Sequence, residues 1–484
     1  MQITSSNMDL GVCRVVSSPP IRFTLEVEAP RHRLPELIGF IEQMISLKFR
    51  IPPFLIQHSF HLGYNVITFT LSYGFEWSIY AVIYVDQTVI LDVYCYGNPP
   101  IETIESIKDV VRYAIRSFED YVRRSSIFLT FVKSASIYPD KYISRKGKII
   151  EKLFSDNMLP FFLLFMMLNI MLFAIFQYYA PFMLVILQLI ILLNADNIMM
   201  SMADWALNEK RRHIHVVQYI LSPQEYEWFV SNFTQDRLME VKKAIFEETL
   251  ALGNTPEPEV VSRIFSLYGF QASPDKIVIH SFDIFDIVEN ARRRYNLPRI
   301  KLALINTLVA NAAATGIIPW KSAIIVTTGL LAKLNKAEVE AVVGHELSHV
   351  KNVDPFILFI VSVAEYLLRI YVLYPIVILL PFIYFPLAFF MIYFVGKFLE
   401  ARADLESAIR LGNPKALAEA LYKIGYSRLM HEKAYGAGSW LNFDPHPPLY
   451  FRIRRLESLT GNERISHITL RSIYDVLKGF LSSI

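Results

Sequence analysis

The stretch Ala-Val-Val-Gly-His-Glu-Leu-Ser-His-Val, residues 341–350, places two imidazoles and a carboxylate within about one turn of a predicted helix. Because His345 and His349 are four residues apart, both rings point to the same side and can bring a nitrogen to roughly 2.0–2.1 Å from one Zn²⁺ ion. Glu346 then lies beside the metal, where it can act as a general base on the water that zinc activates. The spacing therefore predicts a catalytic metal helix.

The residues around this motif predict that its helix is buried and closely packed. Asn335 and Glu338 have the spacing of a capping box, directly before an apolar run. Buried imidazoles without partners are costly, and a metal would satisfy both rings. Gly344 removes a side chain where a ligand or another helix can approach closely.

Two long apolar blocks predict helices that cross a membrane. The chain of 484 residues is 53% apolar with a mean hydropathy of +0.34, which is high for a soluble enzyme. Residues 159–193 contain no Asp, Glu, Lys or Arg, and an interruption at 177–181 divides them into two legs, each close to the roughly 20 residues that span a bilayer. Residues 356–395 form a second block, broken near Tyr374-Pro375. We expect two transmembrane helical hairpins, over residues 158–200 and 355–398.

Glu365 and Arg369 are the only charged residues of the second block. Their i,i+4 spacing, with the glutamate first, favours a helical ion pair, so mutual neutralisation is the simpler interpretation. The alternative is that both side chains face the active-site cavity.

A third zinc ligand must come from outside the helix motif, because a catalytic zinc usually takes three protein ligands and keeps one open position. The downstream candidates are Asp354, Glu365, Glu400, Asp404, His431 and His446. Glu400 is favoured because it directly follows the second hairpin, which returns the chain to the membrane face beside the metal helix. Asp404 would share a helix face with Glu400 and could accept the free N–H of a liganding histidine.

Basic residues on both sides of the first hairpin predict its orientation. They are Arg145, Lys146, Lys148 and Lys152 before the hairpin, and Lys210, Arg211 and Arg212 after it. Such flanks favour the cytoplasmic side, so we expect a multi-pass protein of the cell membrane whose metal site faces the cytoplasm.

Other sequence features narrow the class of protein. Residues 1–20 lack the apolar core of a cleavable signal peptide, so none is expected. The only two cysteines, Cys13 and Cys95, form neither a disulfide framework nor a Cys-rich metal site, which suits a reducing compartment. A net charge of +3 is too small to suggest a nucleic-acid partner.

The rest of the chain divides into segments of soluble character. Residues 1–150 are expected to form a separate α+β domain. This domain could bind a ligand, bind a partner or be purely structural, and the sequence does not choose among these roles. Its predicted elements are a strand at Arg22–Val27, helices at Leu34–Phe49 and Ile101–Arg124, and a strand-rich meander at Asn65–Tyr96. Residues 201–354 are expected to hold a helical region, a β segment and the metal helix, and residues 399–484 the carboxy-terminal part of the catalytic domain.

The β segment after Pro298 supplies candidates for substrate binding. Lys301–Ile305 and Ser322–Gly329 have strand character, with the small-residue run Asn311–Gly316 between them. If the strand before the metal helix is an edge strand, a peptide could pair with its backbone and lie extended across the metal. An internal core strand is an equally good interpretation. The candidate substrate-binding residues are Asn311, Ala313, Ile325, Val326 and Thr327.

Four ordered motifs within residues 290–460 resemble those of the HtpX-like membrane zinc metallopeptidases, in the gluzincin group that includes the type I CAAX prenyl endopeptidases. The motifs are Asn311-Ala-Ala-Ala-Thr-Gly316, Val326-Thr-Thr-Gly-Leu-Leu331 leading into His345-Glu-Leu-Ser-His-Val-Lys-Asn-Val-Asp354, Glu400-Ala-Arg-Ala-Asp404, and His446-Pro-Pro-Leu-Tyr-Phe-Arg-Ile453. Two features depart from the family. Some 150 residues precede the first hairpin, and Ala313 stands where the family commonly carries an aromatic residue, which bears on substrate preference rather than on zinc chemistry.

The resemblance implies a role for each motif residue. His345, His349 and Glu400 would bind one Zn²⁺ per chain, Glu346 would be the general base or acid, and Asp404 would support a liganding histidine. His446 and Arg452 would stabilise the oxyanion or position the substrate.

The expected fold is α+β and membrane-embedded, with a mainly helical zincin-type domain that has a small β-sheet, two transmembrane hairpins and an amino-terminal α+β soluble domain. The expected function is a zinc metalloendopeptidase, of the EC 3.4.24 type, that acts on polypeptides in membrane-protein quality control. Its partners would be polypeptide substrates and the lipid bilayer, with no nucleic acid, and with an unknown ligand or partner for the amino-terminal domain. The alternatives are a selective protease for lipidated C-termini, and a membrane scaffold or regulatory protein that acts through its amino-terminal domain.

Overall fold

The computed structural model of the chain describes residues 19–61, 63–134, 159–435, 438–442, 444–460 and 467–483. Helix is the main secondary structure of the described part of the chain, at 61%, and the described strands form small sheets. The chain separates into two units, Met1–Ile127 with Tyr219–Phe233 and Phe128–Gln218 with Thr234–Ile484.

The first unit contains a five-stranded antiparallel sheet and amphipathic helices. In chain order the strands are β1 (Ile21–Glu26), β2 (Gln57–His61), β3 (Tyr64–Tyr73), β4 (Trp77–Val85) and β5 (Thr88–Gly97), arranged β1-β5-β4-β3-β2. The helices are α1 (Leu34–Phe49), α2 (Ile101–Arg124) and, later in the chain, α6 (Pro223–Asn232). The bounds predicted for α1 and α2 are confirmed, and the predicted meander is the run from β3 to β5.

The second unit is mainly helical and carries two smaller sheets. One has the order β6-β8-β9, from Ser126–Val132, His213–Ile220 and Ile277–Asp283. The other has the order β11-β12-β10-β7, from Ala312–Thr315, Ala323–Thr327, Lys301–Ile305 and Trp205–Leu207. Its helices are α3 (Leu159–Phe176), α4 (Ala180–Leu193), α5 (Ala195–Met202), α7 (Gln235–Glu248), α8 (Pro258–Leu267), α9 (Ile284–Tyr295), α10 (Thr328–Lys333), α11 (Lys336–Lys351), α12 (Asp354–Tyr371), α13 (Tyr374–Leu379), α14 (Pro381–Leu411), α15 (Pro414–Tyr435), α16 (Gly438–Leu441), α17 (Leu449–Glu457) and α18 (Ile468–Leu481).

Strand β12, which the short helix α10 separates from the metal helix α11, is internal to its sheet. It pairs in parallel with β10 on one side and antiparallel with β11 on the other, so it has no free backbone edge. Ile325, Val326 and Thr327 are 1%, 0% and 0% exposed. Of the two interpretations of this strand, the internal one is therefore confirmed, and a peptide cannot pair with its backbone. The edge strands of this sheet are β11 and β7, and the open edge of β11 is the one next to the metal helix. Substrate binding by Ile325, Val326 and Thr327 stays a prediction.

Each apolar block forms helices that short turns separate. Among the described residues, Met167–Leu193 and Pro381–Leu411 are long and apolar enough to cross a membrane. A 3-10 turn at Gln177–Tyr179 separates α3 from α4, and Leu172 of α3 packs with Leu184 of α4.

The turn between α3 and α4 meets the carboxy-terminal end of α12. The Tyr371 hydroxyl donates a hydrogen bond of 2.8 Å to the Tyr178 carbonyl, and the two rings are 5.1 Å apart. The turns of the two helical pairs therefore lie at the same end of the bundle.

The two charged residues of the second block pair with each other, as the simpler interpretation predicted. Arg369 Nε lies 3.4 Å from Glu365 Oε1, and the Tyr384 hydroxyl donates to the same carboxylate over 3.0 Å. Of the basic flanks used to predict orientation, residues 145–152 lie outside the described residues.

Candidate active site

The helix α11, which carries the motif, begins where its capping box places it. The Asn335 side chain accepts from the Glu338 N–H at 3.0 Å, and the Glu338 carboxylate accepts from the Asn335 N–H at 2.9 Å. The same carboxylate lies 2.7 Å from the Lys423 ammonium of α15, and both side chains are buried. This predicted box is confirmed, and an ion pair to a neighbouring helix reinforces it.

Helix α14 packs so closely against α11 at position 344 that a Cβ there would require the side chains of Leu411 and Ser407 to move. A Cβ there would lie 2.4 Å from Leu411 Cδ1 and 2.8 Å from Ser407 Oγ. At the far end of α11, Glu406 accepts hydrogen bonds from Ser348 at 2.8 Å and from Asn352 at 2.6 Å. The close contact explains Gly344 and sets Glu400 of α14 opposite the two histidines.

Three side chains converge at the centre of this contact. The Nε2 atoms of His345 and His349 are 3.1 Å apart, and the two carboxylate oxygens of Glu400 lie 3.4 Å from them, one from each ring. One donor atom from each residue fits within 4.8 Å of the others. Among the downstream candidates for a third ligand, Glu400 is thus the one that the structure brings to both rings.

The donor set fits a metal ion. Glu400 Oε2 is buried without a hydrogen-bond partner, and the two imidazole nitrogens point at each other at a distance that a shared cation would use. Two imidazoles and one carboxylate leave a coordination position open for water, the composition of catalytic rather than structural zinc sites. A bound cation would satisfy all three groups.

A carboxylate oxygen lies within 3.0 Å of the outer ring nitrogen of each histidine, and both Nε2 atoms face Glu400. His345 Nδ1 lies 3.0 Å from Asp404 Oδ1, and His349 Nδ1 lies 2.8 Å from Asp354 Oδ2. Asp354, a candidate third ligand by sequence, instead orients His349 and is paired with Arg402. The sequence pattern did not identify Arg402, although it lies inside the Glu400-Ala-Arg-Ala-Asp404 motif.

Burial and neighbouring charges act on the ionisation of these groups. Burial lowers the pKa of His349, but hydrogen bonds to Asp354 and Glu400 outweigh it and raise the pKa to about 10. A cation at Nε2 must therefore displace a proton, so metal binding releases protons. Burial raises the pKa of Glu346 and is only partly opposed by the two histidines. A raised carboxyl pKa suits a group that takes up and returns a proton near neutral pH.

Glu346 is tied to the open edge of the small sheet. Its Oε2 accepts a 2.8 Å hydrogen bond from the Ala314 N–H of β11. The Thr327 N–H donates to the Asn311 carbonyl. In an antiparallel pair every second residue bonds to the neighbouring strand, so the main-chain groups of Asn311 and Ala313 face β12. The main-chain groups of Ala312 and Ala314 consequently point to the open edge, whereas those of Asn311 and Ala313 are used within the sheet.

Arg452 and His446 approach Glu400 from the carboxy-terminal segment. Arg452 is buried, donates two hydrogen bonds of 2.8 and 2.7 Å to Asp404, and reaches within 3.3 Å of Glu400. The Asp404 and Glu400 carboxylates outweigh burial and raise its pKa, so it stays charged. Arg452 thus holds the carboxylates in place, while the half-exposed ring of His446 lies 3.7 Å from Glu400.

Asp444 lies next to His446 and was not singled out by the sequence pattern. Its Oδ1 is 2.7 Å from His446 Nδ1. Burial raises the pKa of Asp444, but the hydrogen bond and the charges of His446 and Arg428 outweigh this and lower the pKa to about 2. The only signal in the sequence is its position two residues before His446.

Two further candidates for the third ligand are not part of the converging group. Glu365 pairs with Arg369 in the second apolar block. The His431 side chain lies outside the described side chains.

The fold and the site together define a metallopeptidase. A family model described as peptidase family M48 matches residues 282–460. "Protease HtpX homolog 2" of Methanosarcina acetivorans is 34% identical over 200 residues, which cover 34% of this chain and 68% of the relative. "Protease HtpX homolog" of Pyrococcus abyssi is 32% identical over 207 residues, covering 36% and 72%, and that of Moorella thermoacetica is 33% identical over 165 residues, covering 30% and 55%.

The chain belongs to the HtpX-like members of peptidase family M48, which are membrane-associated metallopeptidases. The resemblance inferred from the four motifs is confirmed. Since the enzyme is a protease, its substrates are polypeptides.

Proposed function

We propose that this protein is an integral membrane zinc endopeptidase that hydrolyses peptide bonds with a zinc-activated water. The observation that carries the proposal is the convergence of His345, His349 and Glu400 within 4.8 Å, with Glu346 on the same helix. Two imidazoles and a carboxylate are a known ligand set of catalytic zinc, which favours one Zn²⁺ per chain.

In the mechanism that we propose, His345, His349 and Glu400 would hold a zinc ion, which would supply Lewis acidity for activating a water and polarising the peptide carbonyl. Glu346 takes a proton from the attacking water and passes it to the leaving amine. The Ala314 N–H, 2.8 Å from Glu346, holds the carboxylate in position. We propose that His446, whose Nε2 lies 3.7 Å from Glu400, donates to the developing oxyanion.

We propose that the substrate lies along the open edge of β11. Ala312 offers both its N–H and its C=O there, and an extended peptide can pair with them irrespective of its side chains. Because Ala314 also anchors Glu346, the strand that binds the peptide holds the general base too. This geometry supports a sequence-tolerant protease.

The dimensions of α14 support substrates at the membrane surface. Pro381 and Glu400 are nineteen positions apart, about 28 Å along a helix, which is close to the roughly 30 Å hydrocarbon core of a bilayer. A span that starts at Pro381 would bring Glu400 to the membrane boundary. This supports membrane proteins as substrates, as in quality control. The basic residues 210–212 beyond the first hairpin favour the cytoplasmic side for this boundary.

The test is metal analysis and casein cleavage by the full chain, purified in detergent with zinc. Glu346→Gln should keep zinc and lose activity by about 10²–10⁴-fold, because only the proton transfer is removed. Glu400→Ala should lose zinc. Glu340→Gln, on the same helix and paired only with Arg294 at 3.9 Å, is the matched control and should retain both. A wild type that binds no zinc, or a fully active Glu346→Gln, would contradict the proposal.

A further inference from the structure

The segment that carries His446 is held by two helices. A Cβ on Gly396 of α14 would lie 2.9 Å from Pro445, so the segment rests directly on that helix. Next to it, the ammonium of Lys397 donates to the Asp444 carbonyl. From α15, Arg428 Nη2 lies 2.7 Å from Asp444 Oδ2. The backbone and the side chain of Asp444 are thus fixed from opposite sides.

Packing alone does not orient the His446 ring, because its side chain is 43% exposed. The orientation comes from Asp444 Oδ1, which accepts from the His446 backbone N–H at 2.8 Å and lies 2.7 Å from Nδ1. With Nδ1 engaged, Nε2 points toward Glu400, 3.7 Å away. Loss of the carboxylate would leave a half-exposed ring free to adopt other rotamers.

The same part of α15 also sets the start of α17, which carries Arg452. Arg428 Nε pairs with Glu432 Oε1 at 2.5 Å, and Glu432 Oε2 accepts from the Leu449 N–H at 2.5 Å. Leu449 is the first residue of α17. Arg428 therefore makes two ion pairs, one with Asp444, next to His446, and one with Glu432, at the start of the helix that carries Arg452.

We propose that Asp444, held by Arg428, is a positioning residue for the peptidase reaction and acts only through His446. The inference rests on the proposed function, in which the His446 ring assists at the oxyanion. The side chain of Asp444 contacts His446 and Arg428.

A double-mutant cycle in the full-length, zinc-loaded protein tests this. Asp444→Ala and His446→Ala should each lower kcat by a similar factor, about 10²-fold for the loss of one oxyanion donor, with KM and zinc content unchanged. The double variant should be no slower than His446→Ala alone, because the two residues act as one unit. Asp444→Asn keeps an acceptor at Oδ1 and should restore part of kcat. Glu289→Ala, which removes a part-buried carboxylate from Arg292, is the control for a purely structural effect and should keep kcat.

A second readout does not depend on turnover. In histidine-labelled protein, ¹⁵N NMR signals assigned with His446→Ala should report one ordered ring in the wild type and a mobile ring in Asp444→Ala. Additive losses in the cycle, or an equally ordered ring in both proteins, would overturn the inference. A zinc-loaded wild type that cleaves nothing would contradict the proposed function instead, and the NMR comparison would still decide the positioning role.

Discussion

At the scale of single residues, Asp354 fixes which nitrogen of His349 faces the metal site. The carboxylate lies 2.8 Å from Nδ1 and pairs with Arg402 on its other side. Asp354→Asn should weaken zinc binding by about 10–100-fold, because a supporting carboxylate both orients the ring and raises its basicity. Competition with a zinc chelator measures the change, with exposed Asp236→Asn as the control. An unchanged affinity would argue that the ring is oriented by packing alone.

Lys242 gives the protein a pH-dependent stability far from the metal. Its side chain is 1% exposed and lies 5.7 and 5.5 Å from the rings of Phe131 and Trp205. Burial lowers its pKa to about 8, against 10.5 for an ordinary lysine, with Asp204 opposing weakly. Below pH 8 the ammonium is charged in both the folded and the unfolded state, and the cost of burying it is fully present.

Between about pH 8 and 10.5 the folded state gives up this proton while the unfolded state keeps it, so stability rises with pH. One pKa unit corresponds to about 1.4 kcal/mol, so the rise approaches about 3 kcal/mol. The free energy of unfolding is measured by chemical denaturation at pH 7 and pH 10 for the wild type and for Lys242→Met. The contribution of Lys242 is the rise between the two pH values in the wild type minus the rise in the variant. The variant should lack the rise. Parallel pH profiles would refute the assignment to Lys242.

At the scale of secondary-structure elements, local sequence rules predicted α11 but not its surroundings. The capping box and the i,i+4 spacing involve residues that are close together in the chain. The start of α11 and the face that carries the two histidines could therefore be predicted from the sequence. The order β11-β12-β10-β7 depends on contacts between distant segments, and for that reason the edge strand was open to two interpretations. The ion pair of Asp354 with Arg402 joins residues 48 apart, and no local pattern predicts it.

The contact between α11 and α15 depends on a buried ion pair. Lys423→Met should destabilise the protein by about 3–5 kcal/mol, because it leaves the Glu338 carboxylate buried without its cation. Thermal unfolding in detergent measures this, with the exposed Lys415→Met on the same helix as the control. Adding Glu338→Gln should recover part of the loss, since the amide keeps the cap without a charge. A Lys423→Met protein as stable as the control would show that the pair contributes little.

At the scale of the whole molecule, one helix, α14, contains both an apolar stretch able to cross a bilayer and the third candidate ligand. With 31 residues it is about 46 Å long, more than the roughly 30 Å hydrocarbon core. Its remaining length can extend into the aqueous phase and reach α11. A helix that anchors the chain in the membrane would thus also carry the candidate metal ligand Glu400.

The contact between Tyr371 and Tyr178 predicts the membrane topology that we propose. Because both turns lie at one end of the bundle, cysteines at positions 178 and 372 should face the same side of the membrane, and a cysteine at position 210 the opposite side. The test labels single-cysteine variants in intact cells with a maleimide that does not cross the membrane. In each variant Cys13 and Cys95 are replaced by Ser, and the new cysteine comes from Tyr178→Cys, Val372→Cys or Lys210→Cys. The first two should react, and Lys210→Cys should react only after lysis. Labelling of positions 178 and 210 from the same side would contradict the first hairpin. Labelling of 178 but not 372 would contradict the second hairpin.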